Sequence, residues 1–212
     1  EIPADAGQGA VVDQACSARQ AVIDGENGLV VLDPSPDTLR RYRAAAEARS
    51  ARFRTLSQET ELPAVTLDGV EVGLWGNMEF IDEAAACLKW GAVGVGLFRT
   101  EFLYLRSESP PGEEEQYEAY AAAVHALQGR PLVIRTLDLG ADKLAGRVAG
   151  LGGEPNPALG LRSLRFSLRR PELFRTQLRA ILRASALGDV RVMLPLVTTL
   201  EELRRARAFL GE

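Results

Sequence analysis

Histidine, cysteine and methionine are scarce in this chain of 212 residues, which holds one histidine, two cysteines and two methionines. Zinc sites and disulfide frameworks need Cys or Cys/His groups at short spacing, and Cys16 and Cys87 stand far apart with no C-x-x-C pattern. Both read as reduced thiols of a cytosolic protein, without chemistry. No apolar run approaches the roughly 18–20 residues of a membrane helix and no signal peptide is present, so a soluble protein without membrane insertion is expected. A positive excess is missing too. The formal net charge of -4 argues against a nucleic-acid or anionic-membrane binder acting through bulk charge. Neither G-x-x-x-x-G-K-[ST] nor G-x-G-x-x-G occurs, which removes the common nucleotide loops. The first residue is not Met and the last lies inside a helical pattern, so a piece of a longer chain is expected.

What is present is ordinary globular material, with 46% apolar and 25% charged residues, enough to bury a core. In QAVIDGENGLVVLDPSP, two β-type runs flank Asp24-Gly25-Glu26-Asn27-Gly28, a hairpin signal, and Pro34 and Pro36 close the second run. Residues 1–36 read as the end of a small β-containing domain. Residues 37–61 read as a mostly solvated linker helix behind an Asp37 N-cap, with Leu39, Tyr42, Ala46, Phe53 and Leu56 as a loose apolar stripe.

From residue 62 to 212 the pattern alternates. Strand VEVGLWGNM leads to helix FIDEAAACLKWG, and strand VGVGLFRTEF to helix EEEQYEAYAAAVHALQG. Strand PLVIRTLDLG comes before a Gly-rich loop, then a short strand or turn near NPALG and one long helical segment. Strand VRVMLPLV leads to helix TLEELRRARAFLGE. Such alternation points to right-handed βαβ units and a parallel sheet. The fold class expected is α/β, a partial (β/α)8 TIM-type barrel comprising about the first half, since eight units of ~30 residues need more chain. A half barrel exposes strand edges, so self-association is expected.

Two of these strands end on Arg-Thr, Arg99-Thr100 and Arg135-Thr136. In a parallel barrel the carboxyl ends of the strands line the ligand site, and guanidinium forks suit phosphate or carboxylate. Arg162, after Pro157 and Gly160, is a third candidate. The competing reading is a rim ion pair for each arginine with Glu101 or Asp138. Asp138, Asp142 and Lys143 form a polar loop that faces either a metal-bound anion or solvent. From Arg162 to Arg183 stand seven arginines and one acid, Glu172. Leu161, Leu164, Leu168, Leu178, Ile181 and Leu182 give this segment an apolar side, so it reads as an outer barrel helix rather than a nucleic-acid helix. His125, among alanines and Val124, is read as structural or surface.

The stretches GLFRTEFLY, VIRTLDLGADK, NPALGLRSLR and RTQLRAILRAS, in this order, resemble the phosphoenolpyruvate-binding domain of Enzyme I of the bacterial sugar phosphotransferase system. DGENGLVVLDPSP is similar to the last hairpin of that family's swivelling phosphohistidine domain. The resemblance implies a phosphoenolpyruvate-dependent protein phosphotransferase, cytoplasmic and engaged in sugar transport. It would move phosphate from phosphoenolpyruvate through an enzyme histidine to a histidine phosphocarrier protein, with Mg2+. It implies substrate binding by Arg99, Arg135 and Arg162, with Asn77 and Lys143 near the site, and a homodimer through the barrel domain.

No G-x-x-S-H type segment stands here, His125 does not match it, and Cys87 is not the family's catalytic cysteine. The family's metal-binding glutamate and N-D-L-x-Q segment are also absent. No catalytic residue and no metal ligand is therefore assigned in this chain, which alone is expected to be inactive and to bind phosphoenolpyruvate weakly or not at all. Two alternatives stay open at this point. One is a non-catalytic phosphometabolite-binding or interaction module, and the other is a relative of pyruvate phosphate dikinase and phosphoenolpyruvate synthase.

Overall fold

The computed structural model describes residues 17–60, 62–106, 109–139 and 160–211. Cys16, Asp142, Lys143 and Pro157 lie outside them, as does most of NPALG. The chain divides into two compact units, one ending at Glu59 and the other beginning at Thr60.

In the first unit, β1 (Ala21–Asp24) and β2 (Leu29–Leu32) pair antiparallel, Ala21 opposite Leu32 and Asp24 opposite Leu29. The expected hairpin closes because Asp24 accepts hydrogen bonds from the Glu26 and Asn27 amides and Gly28 takes a positive φ of 62°. Helix α1 (Pro36–Gln58) buries no residue, as the solvated reading expects. Its cap is Ser35, not Asp37. The Ser35 side chain accepts from the Thr38 amide at 3.2 Å, and Pro36 occupies the first turn, where its missing N–H costs nothing.

In the second unit, β3 (Trp75–Met78), β4 (Gly94–Phe98), β5 (Leu132–Arg135) and β6 (Val190–Met193) form one parallel sheet in chain order. Among the described residues the intervening helices are α2 (Glu83–Lys89), α3 (Glu101–Arg106), α4 (Glu113–Ala126), α5 (Ser163–Arg169) and α6 (Pro171–Ser185), and α7 (Leu200–Leu210) follows β6. This is a mixed α/β fold with a four-stranded parallel sheet and a separate small antiparallel one.

Three elements differ from the sequence reading. The strand expected over VEVGLWGNM begins only at Trp75, because Thr66 and Asp68 build a turn onto Gly69 that leaves a single Val65–Glu71 bridge. The strand expected over VGVGLFRTEF stops at Phe98, and Glu101 starts α3. The single long helix breaks at Arg170–Pro171, since proline cannot donate within a helix and fits the start of the next. Leu182, expected on the apolar side of that segment, is half exposed.

One face of the sheet is sealed. Phe98, Leu132 and Ile134 are fully buried against Tyr120, Ala123, Val124 and Leu127 of the α4 region and Ala180, Ile181 and Ala184 of α6. A smaller cluster joins Leu164, Leu168, Phe174, Leu178 and Ala206 beneath α5, α6 and α7. On the less covered face Trp75 lies over β4, where a Cβ on Gly96 would stand 2.8 Å from the Trp75 Cβ. A Cβ on Gly94 would stand 2.5 Å from the Pro131 carbonyl oxygen, and backbone cannot rotate away. Gly94→Ala is therefore expected to cost about 1–3 kcal/mol through forced separation of β4 and β5. A urea midpoint equal to wild type would show that the strands yield freely.

Candidate functional site

Register sets the site. Met78, Phe98, Ile134 and Val192 form one row across the four strands, and the Arg99 amide donates to the Met78 carbonyl while the Thr136 amide donates to that of Met193. Arg99 and Arg135 thus follow immediately after one row at the carboxyl edge. Phe98 and Ile134 point into the core, so the next residue of each strand points to the opposite face.

The threonine of each Arg-Thr pair is fully buried. Thr100 donates its hydroxyl to the Arg135 carbonyl at 3.0 Å and so joins the ends of β4 and β5. The two pairs differ in their threonines, since the buried Thr136 hydroxyl meets no partner among the described residues and only its backbone amide is tied, to Met193.

Arg135 is held by two carboxylates. Its Nη2 lies 2.9 Å from Glu101 Oε1 and its Nη1 lies 3.0 Å from Asp138 Oδ2. Arg162, in extended backbone just before α5, lies 3.1 Å from Asp138 Oδ1, and Ser163 donates its hydroxyl to the same oxygen. Asp138 therefore brings together two of the arginines singled out in the sequence. The Nε atoms of Arg135 and Arg162 are buried and meet no partner among the described residues. Arg99 stands apart, with its side chain 42% exposed and 3.6 Å from Glu79. Asn77 is exposed on β3, in register with Leu97. Lys143 lies outside the described residues.

Burial pushes the Asp138 carboxyl up, but the hydrogen bonds from Ser163 and Arg162 and the charges of Arg135 and Arg162 together hold it below the ordinary carboxylate value. A depressed folded value means that the ionised form stabilises the fold at neutral pH, and that this contribution fades as pH falls through the depressed value. Asp138→Asn is expected to lose about 1–3 kcal/mol near neutral pH, and the gap to wild type should close in strong acid. Urea unfolding at both pH values checks it, and a gap independent of pH would contradict it.

Sequence reasoning missed a buried polar network behind these strand ends. The Gln177 amide accepts from the Leu137 N–H at 2.9 Å and donates to Thr100 Oγ1 and Tyr120 OH, both at 3.2 Å. Gln116 accepts from Tyr120 and Tyr104 and donates to the Pro111 carbonyl. Burial pushes both phenols up, so they remain neutral donors. The available signal was a glutamine on an apolar stripe, since Phe174, Gln177, Leu178 and Ile181 share one helix face.

Beyond Arg162, two arginines of the arginine-rich stretch pack on rings and acids. Arg183 pairs with Glu113 and Glu114 and lies 4.0 Å from the Tyr117 ring centroid, and Arg175 lies 4.9 Å from that of Phe209. His125 is exposed. No three His, Cys, Asp or Glu side chains gather as a metal site among the described residues, and none of the described helices is long and apolar enough to cross a membrane.

Comparison with known proteins places the chain in a family. Residues 54–212 match the family described as PEP-utilising enzyme, PEP-binding domain. The phosphoenolpyruvate-protein phosphotransferase of Cupriavidus necator is 44% identical over 214 residues, covering 100% of this chain and 36% of the relative. That of Geobacillus stearothermophilus is 41% identical over 215 residues, with 100% and 36% covered. The multiphosphoryl transfer protein of Rhodobacter capsulatus is 43% identical over 212 residues, with 100% and 26% covered. The chain thus spans about a third of the length of the curated phosphotransferases it matches, or less. With its arginine pair at the carboxyl edge of a parallel sheet, the chain belongs to the PEP-utilising enzymes and carries their PEP-binding domain.

Proposed function

We propose that this chain is the phosphoenolpyruvate-gripping part of a phosphoenolpyruvate-dependent protein phosphotransferase. The observation that carries the reading is the Arg135–Asp138–Arg162 cluster, with Arg99 ending the neighbouring strand, at the edge where a parallel α/β sheet presents its ligands. Phosphoryl transfer leaves little covalent work to the protein, so guanidinium groups act by placing the group and offsetting charge on its oxygens. Arg135 and Arg162, already fixed by Asp138 and Glu101, supply that charge without reorganising. Arg99, more exposed and loosely paired, reaches a ligand by leaving Glu79.

Mg2+ enters this reading as a family expectation, with its ligands outside this chain. The nearest carboxylates, Glu101 and Asp138, are committed to Arg135 and do not fit a metal here, so no step is derived through one. The reading also includes a cytoplasmic setting in sugar transport, an acceptor histidine, a histidine phosphocarrier protein and a homodimer through the barrel. It keeps the domain division at residues 1–36, 37–61 and 62–212. One observation supports the first half of a TIM-type barrel, namely that the parallel strands follow chain order.

A chimera tests the function. This chain replaces the matching segment of the Cupriavidus necator phosphotransferase, and transfer of radiolabelled phosphate from phosphoenolpyruvate to a phosphocarrier is measured. Transfer by the chimera, and none by this chain alone, is expected. A folded chimera that fails to bind phosphoenolpyruvate would count against the reading.

A further inference from the structure

We propose that Gln177 is a positioning residue that sets the placement of Arg135 from behind the sheet. This rests on the proposed role of the arginines in gripping phosphoenolpyruvate. Gln177 is 1% exposed and sits on α6, so its side chain reaches the strand ends from the core side. All three of its hydrogen-bonding functions that face the protein are used in directed fashion. The carbonyl oxygen takes the Leu137 N–H, one amide hydrogen goes to Thr100 Oγ1, and the other goes to Tyr120 OH.

Accepting from Gln177 leaves the Thr100 hydroxyl hydrogen free to point at the Arg135 carbonyl. One amide thereby fixes the backbone on both sides of Thr136, at the Arg135 carbonyl through Thr100 and at the Leu137 N–H directly. It also fixes Thr100 itself, the residue after Arg99. Asp138, which joins Arg135 to Arg162, is the next residue after Leu137. A glutamine that touches no ligand therefore determines where two of the three guanidiniums stand. Strand-end placement matters because a displacement of ~1 Å at a binding group is enough to cost orders of magnitude in a phosphoryl-transfer site.

The experiment compares Gln177→Leu, Thr100→Val and the conservative Thr100→Ser, by amide hydrogen exchange in this chain and by phosphoenolpyruvate titration of the chimeric phosphotransferase that carries it. In Gln177→Leu the Leu137 amide should exchange at least about tenfold faster. The Leu132 amide, bonded to the Asp189 carbonyl at the other end of β5, should keep its rate. Phosphoenolpyruvate should bind roughly tenfold more weakly to Gln177→Leu and Thr100→Val, and within about twofold of wild type to Thr100→Ser. Unchanged Leu137 exchange in folded Gln177→Leu would overturn the proposal, as would unaltered affinity in both apolar variants. Should Gln177→Leu not fold, the Thr100→Val and Thr100→Ser pair decides through both readouts. Should the chimera with the wild-type sequence bind no phosphoenolpyruvate, the gripping role falls, while the exchange comparison still decides whether Gln177 holds the strand ends.

Discussion

Arg135→Ala is expected to lower phosphoenolpyruvate affinity about a hundredfold or more. Arg135 is the arginine with the most committed geometry, one guanidinium nitrogen on Glu101 and the other on Asp138. Truncation removes the cation and leaves Glu101 and the Oδ2 of Asp138 facing the incoming phosphate, with Arg162 alone still paired to Asp138. Cutting one partner of a largely buried, hydrogen-bonded charge pair costs about 2–5 kcal/mol, which is thirtyfold to several thousandfold in a binding constant. Arg135→Lys keeps the charge but loses the planar fork that meets Glu101 and Asp138 in fixed geometry, so roughly a tenfold loss is expected there. Direct titration of the variants in the chimeric phosphotransferase checks both. Equal affinities for wild type and Arg135→Ala would show that the cluster is a rim ion pair only.

Phe98→Ala should destabilise the fold by about 3–5 kcal/mol. Phe98 is fully buried, ends β4, and stands 6.0 Å from the Phe102 ring and 6.3 Å edge-on from Tyr120. The cavity left behind is lined by strands β3 and β5 and helices α3 and α4, which are tied by the Thr100 and Gln116 hydrogen bonds and cannot collapse into it. Urea unfolding measures the loss, and a change below about 1 kcal/mol would mean that the edge of the sheet repacks. The loss also reaches function, since Arg99 is the next residue and its amide is held by Met78.

Much of this was legible before any coordinates. The hairpin could be read because Asp24-Gly25-Glu26-Asn27-Gly28 carries its own turn chemistry. The order of strands and helices followed from apolar periodicity. Arg99 and Arg135 could be read because a charge ending an apolar strand has few places to go. Boundaries were harder. The six-residue helix α3 begins within the apolar run of VGVGLFRTEF, and no local signal separates Phe98 as strand from Phe102 as helix. Nor could sequence say that Asp138 is shared between Arg135 and Arg162, 24 residues away, or that Gln177 reaches back 77 residues to Thr100. Both are contacts across the fold, written in no local spacing.

The side-chain Nε–H resonances of Arg99, Arg135 and Arg162 can be followed by NMR while phosphoenolpyruvate, and separately pyruvate, is titrated into the chimeric phosphotransferase that carries this chain. Binding of the phosphoryl group by these arginines requires saturable shifts of all three with phosphoenolpyruvate and little response to pyruvate at equal concentration. Shifts that leave Arg135 and Arg162 still, or that pyruvate reproduces in full, would contradict it.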